Sequence, residues 1–189
     1  MPFSYSSQIS TIIGYAENLK PISILDIGVG MGQYGFLLRT NLENLNLFEI
    51  HGEIANQRNK NEWKIRIDGI EGYPGYLTPV HDYSYNKIFI GDALSLLTSI
   101  SNESYDFVLA VDILEHFTKE DGVRFLKECL RIASKSVLIS TPKDFIEQEV
   151  PANPFENHRS HWTEEDLNKC GFGKFLPDPL SIIAVSDAS

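Results

Sequence analysis

Cysteine is close to absent from this chain. Its 189 residues hold only Cys129 and Cys170, which lie far apart and form no CxxC pair. That excludes a disulfide framework and a zinc knuckle, and it fits thiols kept reduced in a cytoplasmic setting. Positive charge is scarce as well: 16 Lys and Arg stand against 26 Asp and Glu, a formal net charge of −10. Binding to nucleic acid draws most of its affinity from a basic face that displaces counterions, so nucleic acid is not an expected partner. The close-set Arg58, Lys60, Lys64 and Arg66 read as a solvated strand edge. No apolar run approaches the roughly 18 residues of a membrane span. The first Lys or Arg is Lys20, so the basic start of a secretory signal is missing. There is no repeat and no low-complexity tract. The expectation is one soluble domain over residues 1–189, long enough to bury roughly 70% of its unfolded surface.

What is present is an alternation of two periods. Ile9, Ile12, Ile13, Ala16 and Leu19 recur at helical spacing, and Pro21 ends that helix. Ser23 to Ile27 reads as a buried strand that runs into glycines. Met31, Tyr34, Leu38, Leu42 and Leu45 mark a second helix. Residues 46–63 show no period, and residues 40–63 read as an insertion, either a pocket-shaping lid or a lengthened helix with a surface loop. Trp63 to Ile70 alternates as a strand, and Lys87 to Ile90, Tyr105 to Val111 and Ser136 to Ser140 are further strands. Thr118 to Ala133 is a helix with a capping-box-like start. Thr163 and Asp166 begin a short one, with Trp162 placed to staple onto Leu167. Lys143 to His161 forms a long loop. Two last strands, near Phe172–Leu176 and Ser181–Val185, are close enough in sequence to pair as a hairpin. Strands that alternate with helices predict an α/β fold with a mostly parallel sheet covered on both faces. Ligands of such sheets bind beyond the carboxyl ends of the strands, here at Gly28, Glu71, Asp92, Asp112 and Thr141.

The strongest motif sits at the first of these ends. Glycines allow positive φ and close backbone approach, and the helix that follows offers free N–H groups. Gly30-Met31-Gly32-Gln33-Tyr34-Gly35 satisfies GxGxxG, a weak dinucleotide signal, and a ligand-free turn also fits it. Asp26, two residues before Gly28, weighs against a pyrophosphate and for the ammonium of an amino-acid-like ligand.

Asp26-Ile27-Gly28-Val29-Gly30-Met31-Gly32 resembles motif I of the class I S-adenosylmethionine-dependent methyltransferases, and the likeness runs from about residue 22 to residue 185. It implies a Rossmann-like three-layer sandwich with a seven-stranded sheet and a C-terminal antiparallel hairpin. It also implies S-adenosyl-L-methionine as cofactor, held by Asp26, Gly28, Val29, Gly30 and Gly32. Glu71, in Asp68-Gly69-Ile70-Glu71-Gly72-Tyr73, resembles the acid that binds the ribose hydroxyls, which places Tyr73 beside the adenine. Asp92, followed by Ala93, resembles the acceptor for the adenine amino group. Tyr105 through Asp112 resembles the fourth-strand motif and brings Asp112 to the cofactor. One departure is the spacing. The acid usually follows the loop by about 20 residues. Glu49 lies at that distance but has no turn after it, so Glu71, 43 positions after Gly28, is preferred.

Methyl transfer needs a positioned nucleophile and, for an oxygen or nitrogen acceptor, a base with a pKa near neutrality. His116, His158 and His161 are the catalytic candidates, and Tyr5, Tyr15, Phe3 and the aromatics of residues 73–85 are candidates for an acceptor pocket. Asp112, Glu115, His116 and His158 also resemble the carboxylate and histidine metal set of small-RNA 2′-O-methyltransferases, whose ligand types suit a divalent ion. Against a metal stand Asp112 in place of a Glu, the absence of a basic surface, and the frequency of Leu-Glu-His in metal-free members of the class. The expectation is therefore metal-free methyl transfer to an O or N atom of a small molecule. The alternatives are a metal-dependent RNA enzyme and a non-catalytic cofactor-binding partner subunit.

Overall fold

The structure, a computed structural model, describes residues 4–187. Helix α1 (Ile9–Leu19) leads to β1 (Ser23–Ile27), the glycine loop and α2 (Gln33–Leu42). A hairpin of β2 (Phe48–His51) and β3 (Ile54–Gln57) precedes β4 (Arg66–Glu71), α3 (Pro79–Ser84) and β5 (Lys87–Ile90). Next come α4 (Ala93–Leu97), β6 (Tyr105–Val111), α5 (Lys119–Ile132) and β7 (Ala133–Pro142). The chain finishes with α6 (Glu164–Lys169), β8 (Lys174–Leu176) and β9 (Ser181–Asp187). Seven strands form one sheet in the order β5-β4-β1-β6-β7-β9-β8. β1, β4, β5, β6 and β7 run parallel, while β9 is antiparallel to both β7 and β8. None of the helices is long and apolar enough to cross a membrane.

Both faces of the sheet are covered, so its central strands carry apolar residues on both sides and not only at alternate positions. Successive side chains still point to opposite sides. Ile24, Phe107 and Leu109 pack with Ile12, Ala16 and Leu38 of α1 and α2. Leu25, Val108 and Ala110 pack with Leu97, Phe125, Leu126 and Cys129 of α4 and α5. At Lys20, in the left-handed region (φ 51°), α1 closes with an N–H donated to Ala16 O at 3.0 Å, and Pro21 prevents continuation. Thr118 caps α5 and Thr163 caps α6 with a full capping box. Trp162, beside α6, is fully buried, and its indole donates to Ser160 Oγ at 2.8 Å.

Three segments differ from their sequence reading. The second helix occupies only Gln33–Leu42. The stretch without a clear period contains the β2–β3 hairpin, turned by Gly52 at φ 64°. Its signal was hidden because neither strand has a buried face to impose alternation. β4 starts at Arg66 and not at Trp63. Its Asp68 is buried, held by the Tyr105 hydroxyl at 2.8 Å and Arg66 Nε at 2.7 Å. The basic cluster is spent internally: Arg58 lies 3.6 Å from Glu49, and Lys60 donates to the Asp82 and Tyr85 carbonyls.

A buried hydrogen-bond chain fixes the entry to the glycine loop. The Tyr85 hydroxyl donates to Asp26 Oδ2 at 2.6 Å and accepts the Gly35 N–H at 3.1 Å. It thereby ties the end of β1 to the first turn of α2. Burial, partly offset by the Tyr85 bond, raises the Asp26 carboxyl to about 7. A Cβ on Gly35 would lie 2.1 Å from Tyr85 Cζ.

Two outcomes follow from this chain. Gly35→Ala gains roughly 1 kcal/mol of helix propensity, but it drives a methyl into a ring that is hydrogen-bonded in place, an overpacking cost of roughly 1–3 kcal/mol or more. The expected net result is a loss of about 1–2 kcal/mol in denaturant unfolding, and unchanged or greater stability would contradict the packing. The second outcome concerns pH. Because the folded Asp26 pKa stands above the unfolded value of about 3.9, its contribution is intact below that value and is lost as pH rises towards 7, at a slope of up to about 1.4 kcal/mol per pH unit. Asp26→Asn keeps an acceptor for Tyr85 and removes the titration. The variant should therefore gain stability relative to wild type between pH 4 and 7, and a gap that does not vary with pH would reject the assignment.

Candidate functional site

The carboxyl ends of β1, β4 and β6 open onto one cavity of about 550 Å³, within the usual size range of small-molecule sites. Its floor is the glycine loop. Gly28 (φ 77°) and Gly30 (φ 52°) hold conformations that side chains disfavour, and Gly28, Val29 and Gly30 line the cavity. Gly30 is gripped on both polar atoms. Its N–H donates to Glu71 Oε2 at 2.9 Å, and its carbonyl lies 3.0 Å from His81 Nε2. His81 Nδ1 accepts the Thr78 N–H at 2.9 Å, so Nε2 carries the proton and donates to Gly30.

Glu71 is buried at the end of β4 and lines the cavity. Its other oxygen accepts the Tyr73 N–H at 2.8 Å. Burial raises its pKa, and the backbone bonds to Tyr73 and Gly30 oppose the rise. Backbone N–H groups of Tyr73, Gly30 and Gly72 draw on three of the roughly four acceptor sites of a carboxylate. Asp92 and Ala93 line the next part of the wall, and Asp92 caps α4 by accepting the Ser95 N–H at 2.9 Å. Asp112, in the left-handed region at φ 50°, ends β6 on the same wall. Buried Gln8 donates to its Oδ2 at 2.8 Å. Burial raises the Asp112 pKa against these hydrogen bonds. The buried Tyr34 hydroxyl lines the cavity and has no partner among the described residues.

Opposite the loop, Glu115, His116 and His158 converge, with one ligating atom of each within 4.8 Å of the others. His116 follows β6, whereas His158 arrives from the 143–162 loop, which contributes Ile146, Asn153, Phe155 and Glu156 to the wall. Both imidazoles direct Nδ1 at a backbone carbonyl, His116 at Asn157 O (3.2 Å) and His158 at Ile146 O. Burial lowers the His116 pKa and raises that of fully buried Glu115, which the nearby Asp112 raises further. Glu115 Oε2 accepts the Thr141 hydroxyl at 3.1 Å. The wall carries the carboxylates of Glu71, Asp92, Asp112, Glu115, Asp121 and Glu156, and among the described residues on it Arg159 is the one Lys or Arg.

Several expected residues stand elsewhere. Asp26 is not among the residues that line the cavity and bonds Tyr85 instead. Gly32 caps α2 and lies off the wall. Tyr73 packs edge-on against Tyr76, centroids 4.9 Å apart, and it is Tyr76 that lines the cavity. His161 is also off the wall, exposed, with Nε2 2.8 Å from Lys143 O. Tyr5 lines the cavity, whereas Tyr15 bonds Ser136 on the far side of α1, and Phe3 lies outside the described residues. Residues 40–63 place nothing on the wall. Tyr34, His81 and Phe155 escaped the sequence reading. Tyr34 had a signal, a polar tip directly after the glycine loop; the other two reach the site only through tertiary packing.

Residues 25–139, more than half of the chain, match a family described as a methyltransferase domain. No curated protein is a sequence match. Among solved structures, the PH0226 protein of Pyrococcus horikoshii OT3 aligns with a TM-score of 0.63 at 15% identity, over 97% of this chain and 88% of that one. Magnesium protoporphyrin IX methyltransferase from Synechocystis PCC 6803, solved with bound SAH, aligns with a TM-score of 0.60 at 14% identity, over 96% and 82%. The methyltransferase domain of bacterial CtHen1 aligns with a TM-score of 0.62 at 15% identity, over 97% and 98%. At these identities the likeness is one of fold. With the family match, the strand order and the glycine loop beneath the cavity, the chain belongs to the class I S-adenosylmethionine-dependent methyltransferases.

Proposed function

We propose that this single domain transfers a methyl group from S-adenosyl-L-methionine to an oxygen or nitrogen atom of a small-molecule acceptor. The observation that carries this reading is the geometry of Glu71. One buried carboxylate lines the cavity wall, oriented by the backbone N–H groups of Gly30 and Tyr73. That arrangement suits a pair of ribose hydroxyls. The acidic wall also suits a sulfonium and an ammonium better than a polyphosphate. Gly28, Val29 and Gly30 would bring backbone close to the cofactor, with Gly32 and Asp26 holding that loop from behind. Asp92 and Ala93 would meet the adenine, where Tyr76 takes the place expected of Tyr73. Asp112 and the unpartnered Tyr34 hydroxyl would face the amino-acid end. When bound, the cofactor supplies an electrophilic methyl group.

The chain's own part is to orient the acceptor and move its proton. His116, kept neutral by burial, and His158 beside it are placed to take that proton, and His161 would act only through the loop it anchors to Lys143. The excess of carboxylates on the wall and the acidic net charge support a metabolite over nucleic acid. The two free thiols, one buried, agree with a cytoplasmic location.

A second reading has one observation in its favour. Glu115, His116 and His158 form a carboxylate and imidazole set suited to a divalent cation. Their Nδ1-to-carbonyl bonds are the outer contacts that fix a ligating histidine with Nε2 forward. In that case the cation would be held on the acceptor side and would orient an acceptor hydroxyl.

Two measurements test these assignments. Glu71→Gln should weaken S-adenosylmethionine binding at least about tenfold by calorimetry, roughly 1.4 kcal/mol, because an amide cannot accept at both oxygens' positions. Unchanged affinity would remove Glu71 from the site. His158→Ala should lower kcat about 10²–10⁴-fold if the histidines serve as bases, with turnover indifferent to chelators and rising with pH through a His116 pKa below the ordinary histidine value. Loss of turnover on chelation, together with loss of bound metal in His158→Ala, would establish the second reading instead.

A further inference from the structure

The β2–β3 hairpin takes no part in the site. Its strands contain no buried residue, and Phe48, Ile50 and Ile54 are 48%, 75% and 63% exposed. A lone two-stranded hairpin is marginally stable in water, and an uncovered edge is a template for another strand. Arg58 N–H donates to Leu47 O. With the register Glu49↔Asn56 and His51↔Ile54, Leu47, Glu49 and His51 therefore turn their backbone groups inward, towards β3. Phe48 and Ile50 turn theirs outward, to the free edge.

That edge is complementary to itself. Pairing β2 antiparallel with a second β2 about a dyad at Ile50 sets the outward N–H and C=O of Ile50 against those of its copy. The same register brings Glu49 of each chain opposite His51 of the other in a non-hydrogen-bonded pair, where side chains approach closely and a carboxylate can accept from an imidazole N–H. Phe48 and Ile50 share the other face with Ala55 of β3, so pairing makes that apolar face continuous across both copies. The edge of β3 offers no such match, since Ile54 would meet Asn56 there.

We propose that a second copy of this chain docks through β2, joining two hairpins into one four-stranded antiparallel sheet. The short strand predicts a weak, reversible dimer. Because residues 40–63 are absent from the cavity wall, cofactor binding should be the same in monomer and dimer.

Sedimentation velocity across a concentration series tests the proposal. The wild-type chain should shift reversibly from monomer to dimer. His51→Glu, which sets like charges across the dyad, should hold it monomeric, and the exchanged pair Glu49→His with His51→Glu should restore the dimer. Ile50→Pro removes an N–H that the hairpin itself does not use, and it should also give a monomer, with circular dichroism and S-adenosylmethionine affinity retained. A wild-type chain that stays monomeric at its highest soluble concentration would overturn the proposal. So would a dimer insensitive to His51→Glu and Ile50→Pro. A charge swap that fails to restore association would overturn the Glu49–His51 register.

Discussion

The site rests on one buried hydroxyl. Tyr85 donates to Asp26 at the last turn of β1 and accepts from Gly35 in the first turn of α2, so the glycine loop is suspended between two points joined by a single side chain. The tie helps to offset the cost of three glycines in the left-handed region, Gly28, Gly30 and Gly32, since glycine loses the most conformational freedom on folding. The bond also makes tolerable a carboxyl that has no cation beside it. Asp26 is shielded from solvent, and its partner is neutral, so its pKa rises and the charged form is disfavoured as desolvation requires.

The second constraint acts on Gly30 alone. Glu71 takes its N–H and His81 its carbonyl, which fixes the peptide planes on either side of the residue. Glu71 comes from β4 and His81 from α3, the two elements that follow the inserted hairpin. Loop conformation, the Glu71 carboxylate and α3 are thus one hydrogen-bonded unit. Arg39 extends the same unit by bonding the Ser84 and Ile65 carbonyls and Asn86 Oδ1. The β2–β3 hairpin can therefore project outward without disturbing the cavity, because the chain is fastened again after it.

The contrast between what was legible in the sequence and what was not follows from these couplings. β1 and the glycine loop were readable because a buried parallel strand and a positive-φ turn each demand particular residues locally. The place of Glu71 at a strand end on the cavity was readable despite its unusual distance, since a turn follows it. Asp26 shows the limit of local reading. Its hydrogen-bond partner Tyr85 lies 59 residues on, and no local pattern encodes that pairing. His81 is similar: its capping-box position is local, but the Gly30 carbonyl it grips is 51 residues away. The hairpin was invisible for the opposite reason. Period-2 patterning records burial of one face, and β2 and β3 bury none.

The acceptor side poses a problem of charge. Glu115 is fully enclosed, its carboxyl accepts from the neutral Thr141 hydroxyl, and Asp112 stands nearby. An isolated buried carboxylate is costly enough that it takes a proton instead. That leaves three proton-bearing or proton-accepting groups within 4.8 Å, with His116 neutral by burial. In the proposed reaction this cluster would serve as the proton acceptor. It can equally exchange the Glu115 proton for a cation, which would stabilise the carboxylate and use the imidazoles in the same neutral form. Proton transfer and cation binding therefore compete for the same three side chains. That competition originates in the burial of Glu115, which disfavours its carboxylate unless a proton or a cation is bound.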